Sequence, residues 1–236
     1  MMNNHTTTAT LITIITIVAT VLIAIATSNQ YHPTPRHRFL PHGDIIKVGG
    51  TSETEKKTQA KQRAHEVMQA NLQRVFHIAK EIGHPETMQA ILLLESGGGV
   101  ANPVGNLTSP VGKRSYGVMQ VQVVAAKSIL TRYPDTFNRY FPNRELRSVS
   151  DEEIIALLIS NHEANIRIAC QHFALYLSLS QGDWHKAVAA YNMGIGNAHK
   201  HENHEEYPYV KDVVNKIQEM VKPFNKKHSL TLTPNI

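Results

Sequence analysis

Residues 85–99 read PETMQAILLLESGGG. Proline suits the first turn of a helix, where its missing N–H would have had no intrahelical partner, so Pro85 marks a helix start. Met88, Ile91, Leu92 and Glu95 follow at three- and four-residue spacing and share one face. Gly97, Gly98 and Gly99 then stop the helix. A carboxyl group carried on that apolar face is partly desolvated. Desolvation disfavours the charged form and raises the pKa, which is what a general acid needs to hold its proton near neutral pH. The competing reading is an ordinary surface glutamate at a helix end, since Glu is rarely fully buried. Helix position alone does not choose between them.

Outward from this helix the same periodicity recurs. Upstream, in the stretch beginning near Lys61, Met68, Leu72, Val75, Phe76, Ala79 and Ile82 predict a helix that Gly83 ends. Downstream, 123–133 and 164–179 read as helical, and Ser150 with Glu153 forms a capping box ahead of Ile154, Leu157 and Leu158. Asp183 is placed to cap 184–191, and 209–221 closes the domain with Val210, Val213, Val214, Ile217 and Val221. Alternating strand signals are sparse. The expected fold class is therefore all-α, or α-dominated, with a single globular domain over 61–222 and a C-terminal tail over 223–236.

Before that domain lies an apolar run over 11–26. Its sixteen residues are short for a spanning helix of about 20, and Ala24-Ile25-Ala26 supplies the small-x-small pattern of a signal-peptide cleavage site. Two features point the other way. The threonines from Thr6 can lengthen the span, and Arg36 and Arg38 after the run would hold the bulk of the chain in the cytoplasm by the positive-inside rule. Residues 1–26 are thus a signal peptide or an uncleaved membrane anchor, and membrane contact is expected only through 11–26 if they are retained. Pro33, Pro35, Pro41 and the Gly49-Gly50 pair make 27–60 a flexible linker.

Hydrophobic residues make up 42% of the 236 and charged residues 18%, which supports a packed core and excludes wholesale disorder. The net charge of +5 favours an anionic partner. The basic residues form no clear stripe, so nucleic acid is not expected. Cys170, the single cysteine, has neighbours that mark it as a buried thiol. His199, His201 and His204 alternate on a polar stretch, and no metal or cofactor is assigned to them.

Four segments now bear on Glu95. They are Glu95-Ser96 itself, Gly117-Val118-Met119-Gln120, Asn165-Ile166, and Ala190-Tyr191-Asn192 before Gly194. In this order they resemble the lytic transglycosylase family, whose domain is similar to goose-type lysozyme. The resemblance covers roughly 67–222, and the ordered series is specific where any one motif would be weak. It implies a lysozyme-like domain that cleaves peptidoglycan glycan strands, between N-acetylmuramic acid and N-acetylglucosamine, without a cofactor or metal. It makes Glu95 the catalytic acid/base, with Ser96 orienting it and Tyr191 approaching the reacting centre from the opposite wall. Ser96, Met119, Gln120 and Asn192 would form the substrate-binding set. Met119 as core and Tyr191 as a satisfied buried phenol stand as alternatives, because such residues more often pack than catalyse.

Two departures from the family pattern are visible. A bulky residue usually follows Glu-Ser where this chain has three glycines, which suggests a loop that is loose when empty. The loop leading to Gly117 is longer, with Lys113 and Arg114 in the added length, facing acidic wall material or simply solvent. Ordinary glycosidases use two carboxylates. None occurs between Glu95 and Asp135, so a second would have to come from Asp151, Glu163 or Asp183. The family chemistry needs only one, because the substrate's own C6 hydroxyl attacks C1 and leaves a 1,6-anhydromuramic acid end. A hydrolytic muramidase and a non-catalytic wall-binding module are the alternative functions. The resemblance further implies export to the periplasm or cell envelope, or a place in a phage particle, and service to a secretion, conjugation, pilus or phage assembly.

Overall fold

The computed structural model describes residues 53–101 and 103–231, and across them the periodic stretches are helices. The apolar run of 11–26, its cleavage pattern and most of the linker lie outside the described residues, as does the end of the tail. Among the described residues no helix is long and apolar enough to cross a membrane.

Helix α1 (Glu53–Ala79) begins inside the stretch assigned to the linker. Residues 53–63 are exposed throughout, so no apolar period announced them. They are rich in Glu, Lys, Gln and Ala, which are strong helix formers, and Lys57 lies 3.7 Å from Glu53 one turn back. Burial starts only at Asn71 and Leu72. A 3-10 turn, Lys80–Ile82, carries the chain to Gly83.

Helix α2 (Pro85–Ser96) starts at its proline as expected, and apart from Glu86 every residue from Pro85 to Leu93 is buried. A helix that is apolar on all sides must be surrounded. α1 packs on one side of it, and α9 (Pro208–Lys216) and a π turn (Ile217–Val221) pack on others. Met88, Ile91 and Leu92 are fully buried, each contributing roughly 1.5–3 kcal/mol by leaving water.

The middle of the chain builds a second layer. A two-residue antiparallel pair, β1 (Ser115–Tyr116) and β2 (Val121–Gln122), closes over Gly117 to Gln120, with Ser115 opposite Gln122 and Tyr116 opposite Val121. Helix α3 (Val123–Arg132) and the single turn α4 (Pro134–Phe137) follow. Helix α5 (Asp151–Ser160) has the expected reciprocal cap: the Ser150 hydroxyl accepts from the Glu153 N–H at 3.3 Å, and the Glu153 carboxylate accepts from the Ser150 N–H at 3.0 Å. Helix α6 (His162–Leu179), capped by Asn161, contacts α1, α3, α5 and α7 (Trp184–Met193). Burial raises the Cys170 thiol on α6 well above its usual range, so it stays a neutral apolar group. Asp183 caps α7, accepting from the Lys186 N–H at 3.0 Å, and the turn α8 (Ile195–Ala198) comes next.

The stretch assigned to the tail holds one more helix, α10 (Lys222–Lys227). A proline has no N–H to give an α ladder, and Pro223 stands in the first turn of α10. The chain widens into the π turn just before it and resumes beyond. What anchors α10 is Asn225, buried against Gln89 of α2: their two amides exchange hydrogen bonds, both 2.9 Å, and Gln89 also donates to the Leu72 carbonyl at 3.0 Å. The fold is helix-dominated, as expected, with its core between α1, α2, α6, α7 and α9.

Candidate functional site

Glu95 sits in the last turn of α2, where the helix runs out of buried surface, and its side chain reaches a cleft of about 510 Å³. Its Oε1 accepts a 2.5 Å hydrogen bond from the Tyr209 hydroxyl at the start of α9. Burial pushes the Glu95 carboxyl above the usual carboxylate range, and the Tyr209 hydrogen bond offsets part of that rise. Tyr209 in turn is held neutral, well above the ordinary phenol range, by its own burial and by the Glu95 charge. Tyr209 was missed in the sequence, where it reads only as the first residue of an apolar stripe. The available signal was that a buried phenol needs a partner for its O–H.

Ser96 is buried and turns away from the cleft. Its hydroxyl donates to the Leu92 carbonyl at 3.3 Å and accepts from the Gly99 N–H at 2.8 Å, so its hydrogen bonds shape the turn after Glu95. The three glycines are not loosely held. Gly98 has φ +84, a Cβ there would come within 2.4 Å of the Met68 side chain, and its carbonyl accepts from the buried Asn71 amide at 3.0 Å. Gly98 and Gly99 lie directly against α1, while Gly97 is the left-handed cap of α2, with φ +60.

The opposite wall comes from the β1–β2 turn. Asn165, fully buried on α6, accepts from the Met119 N–H at 2.8 Å and donates to the Tyr116 carbonyl at 2.9 Å, pinning both ends of the turn. Gly117 has φ +76, and a Cβ on it would meet the Leu158 carbonyl at 2.2 Å and the Asn165 amide at 2.3 Å. Met119 is also fully buried, so its side chain belongs to the core and not to the cleft wall. The expectation that it contacts sugar is corrected here: alternation across the turn sends Met119 inward and Gln120 outward. Gln120 lines the cleft in a left-handed conformation, φ +49, with its amide donating to the Gly117 carbonyl at 2.8 Å.

Tyr191 and Asn192 line the cleft from the end of α7. The Tyr191 hydroxyl donates to the Met119 carbonyl at 2.9 Å; burial and the nearby Glu95 charge raise this phenol well above its normal range. Its hydrogen bond thus goes to the Gln120 turn, and the bond to the acid is made by Tyr209. Asn192 is exposed, and its side-chain oxygen accepts from the Tyr207 hydroxyl at 2.7 Å.

Set against protein-family models, curated proteins and solved structures, the chain matches none. The chemistry of the cleft follows from its own groups. Among the described residues lining it, Glu95 is the one carboxylate. The three other acids considered are occupied elsewhere. Asp151 pairs with Lys127. Glu163 lies 3.0 Å from Arg139 and 2.9 Å from Arg167, whose hydrogen bond holds its carboxyl below the usual range. Asp183 caps α7. Of the loop cations, Arg114 spends its guanidinium on the Ser109 and Leu107 carbonyls, both at 2.7 Å, while Lys113 is exposed. Among the described residues no group of three His, Cys, Asp or Glu side chains is placed to hold a metal ion; His204 bonds the Ala198 carbonyl at 2.8 Å. A lone acid with a raised pKa, a phenol donor on one oxygen and an amide on the facing wall can protonate a bridging oxygen and afterwards act as base.

Proposed function

We propose that this chain is a peptidoglycan lytic transglycosylase with a lysozyme-like domain. The observation that carries the reading is that Glu95 is the single carboxylate among the described cleft residues, which suits a reaction in which the substrate supplies its own nucleophile. The four ordered motifs support it independently.

In this reading the protonated Glu95 gives its proton to the glycosidic oxygen between N-acetylmuramic acid and N-acetylglucosamine as the bond to C1 breaks. The C6 hydroxyl of the muramyl residue attacks C1, and the Glu95 carboxylate takes the hydroxyl proton back. One bond forms, one breaks, and no water is consumed. Hydrogen bonds to ionised groups are stronger than neutral ones, so the Tyr209 donor favours the carboxylate that exists after the first proton transfer. Gln120 and Asn192 bind sugar substituents, and Tyr191 acts through the Met119 carbonyl to hold the Gln120 turn. Action on the wall requires export, with residues 1–26 as leader or anchor, and its setting is a secretion, conjugation, pilus or phage assembly.

Mass spectrometry of digested peptidoglycan tests the proposal. Muramyl ends lacking one water relative to a lysozyme digest, and resistant to borohydride, are expected. Reducible ends would make the enzyme a hydrolase; intact peptidoglycan after exposure to the folded protein would end the enzymatic reading.

A further inference from the structure

Beyond the acid, one face of α6 forms the wall of the cleft. His172, Leu175, Tyr176 and Leu179 all line it, at the three-, four- and seven-residue spacing of a single helix stripe. The stripe runs about 10 Å along the helix. Facing it, the first turns of α3 contribute Val124, Ala125 and Ser128. This part of the groove is apolar with isolated polar points, and among its described lining residues there is no Lys or Arg. It is unsuited to a carboxylate.

His172 is the polar point of the stripe that neighbours Tyr191. Its ring centroid lies 6.2 Å from that of Tyr191 and 4.2 Å from that of Tyr176. Tyr191 in turn is close enough for the Glu95 charge to act on its phenol. Among the described residues His172 has no hydrogen-bond partner, yet it is not among the fully enclosed polar atoms left unpaired. Its nitrogens are therefore served by whatever fills the cleft. Burial holds the imidazole pKa at about 4, so at neutral pH one ring nitrogen donates and the other accepts.

A neutral donor set in an apolar wall matches a secondary amide bearing a methyl group: the amide carbonyl accepts from the imidazole N–H, and the methyl packs on Leu175 and the Tyr176 ring. Resting on the proposed peptidoglycan chemistry, we infer that His172 is a specificity-determining residue that recognises an N-acetyl group of the bound sugar. A free amine in its place offers no carbonyl to accept from the imidazole, and as an ammonium it would bury a cation against Leu175 and Val124 beside a Glu95 that holds its proton.

The test uses Glu95→Gln, which binds without turning over, titrated calorimetrically with N-acetylglucosamine oligomers and with the corresponding glucosamine oligomers. The acetylated ligand should bind about 10-fold tighter, the worth of one hydrogen bond. Adding His172→Phe keeps the ring against Tyr176 but should remove most of that preference, and His172→Gln, which retains a donor, should restore part of it. On peptidoglycan, His172→Phe alone should raise KM by a similar factor and leave kcat near the parent value. If His172→Phe cleaves peptidoglycan with the parent KM, and the Glu95→Gln His172→Phe double variant binds with the full preference for acetylated ligand, His172 is not the reader. If Glu95→Gln binds neither oligomer and the wild type leaves peptidoglycan intact, the proposed function falls and takes this inference with it.

Discussion

The Tyr209 hydroxyl donates to Glu95 Oε1 at 2.5 Å, joining two residues 114 positions apart. The bond crosses from the last turn of α2 to the first turn of α9, and two opposing influences meet on one carboxyl group. Burial favours the protonated acid, and the phenol favours the carboxylate.

Removing the phenol leaves burial unopposed. Tyr209→Phe should move the alkaline limb of the pH–rate profile upward, because Glu95 then keeps its proton to higher pH. It should also lower kcat, because the carboxylate formed after proton transfer loses its donor. A pH profile of wall-degrading activity checks both effects; a profile that falls in height without moving would assign Tyr209 to packing alone.

Glu95→Gln should fold and bind glycan but lose roughly 10²- to 10⁴-fold in rate, the usual contribution of general acid-base catalysis. Its stability should depend on pH with a definite sign. The folded-state pKa of Glu95 is raised, so the folded protein holds a proton that the unfolded chain releases. The stability gained from this is fully present below the ordinary carboxylate range and is lost as pH rises through the folded value. The melting temperature of Glu95→Gln relative to wild type should accordingly be higher at pH 8 than at pH 4, as read by calorimetry at the two values.

Gln120 tests whether a cleft residue is there for the ligand. Its left-handed φ of +49 and its bond to the Gly117 carbonyl mean that Gln120→Ala keeps the strain and loses about 1 kcal/mol of hydrogen bonding. Gln120→Gly relieves the strain, so it should melt above Gln120→Ala while being equally impaired on peptidoglycan. Equal activity in wild type and both variants would return Gln120 to a structural role.

Gly117→Ala should be among the most damaging single changes. Its Cβ would collide with the Leu158 carbonyl, which is backbone and cannot rotate away. A loss of roughly 3 kcal/mol or more is expected. Asn165→Leu should approach it, since it leaves the Met119 N–H and the Tyr116 carbonyl without their buried partner, at about 1–3 kcal/mol each. Denaturant unfolding measures both.

If residues 1–26 are a leader, Edman or mass-spectrometric sequencing of the mature protein should begin at Thr27. Full-length protein recovered in membranes would establish the anchor, and soluble full-length protein in the cytoplasm would refute export.

The helices were legible where local chemistry announces them. Pro85 removes a backbone donor that would have had no partner, the Ser150–Glu153 box and Asp183 satisfy such donors, and signals confined to one turn survive in a one-dimensional reading. The exposed first turns of α1 were not, because they carry no apolar period, and neither was α10, which is anchored by the buried Asn225 and not by an apolar stripe. Within the site, Glu95, Gln120, Tyr191 and Asn192 were legible through motif order and do line the cleft. Met119 was misassigned because a motif does not say which way a side chain faces in a four-residue turn. Tyr209 and His172 were invisible for another reason: each owes its importance to a neighbour far along the chain.

The buried amide exchange between Gln89 and Asn225 spans 136 residues, and with the Tyr209 bond it makes the end of the domain a prerequisite for its beginning. During synthesis the acid emerges early, while the phenol that tunes it and the asparagine that locks its helix emerge last. A half-delivered chain has its glutamate in water, ionised at neutral pH and unable to give up a proton it does not hold. On the proposed function, an incomplete chain would lack the raised acid until nearly all of it had been made.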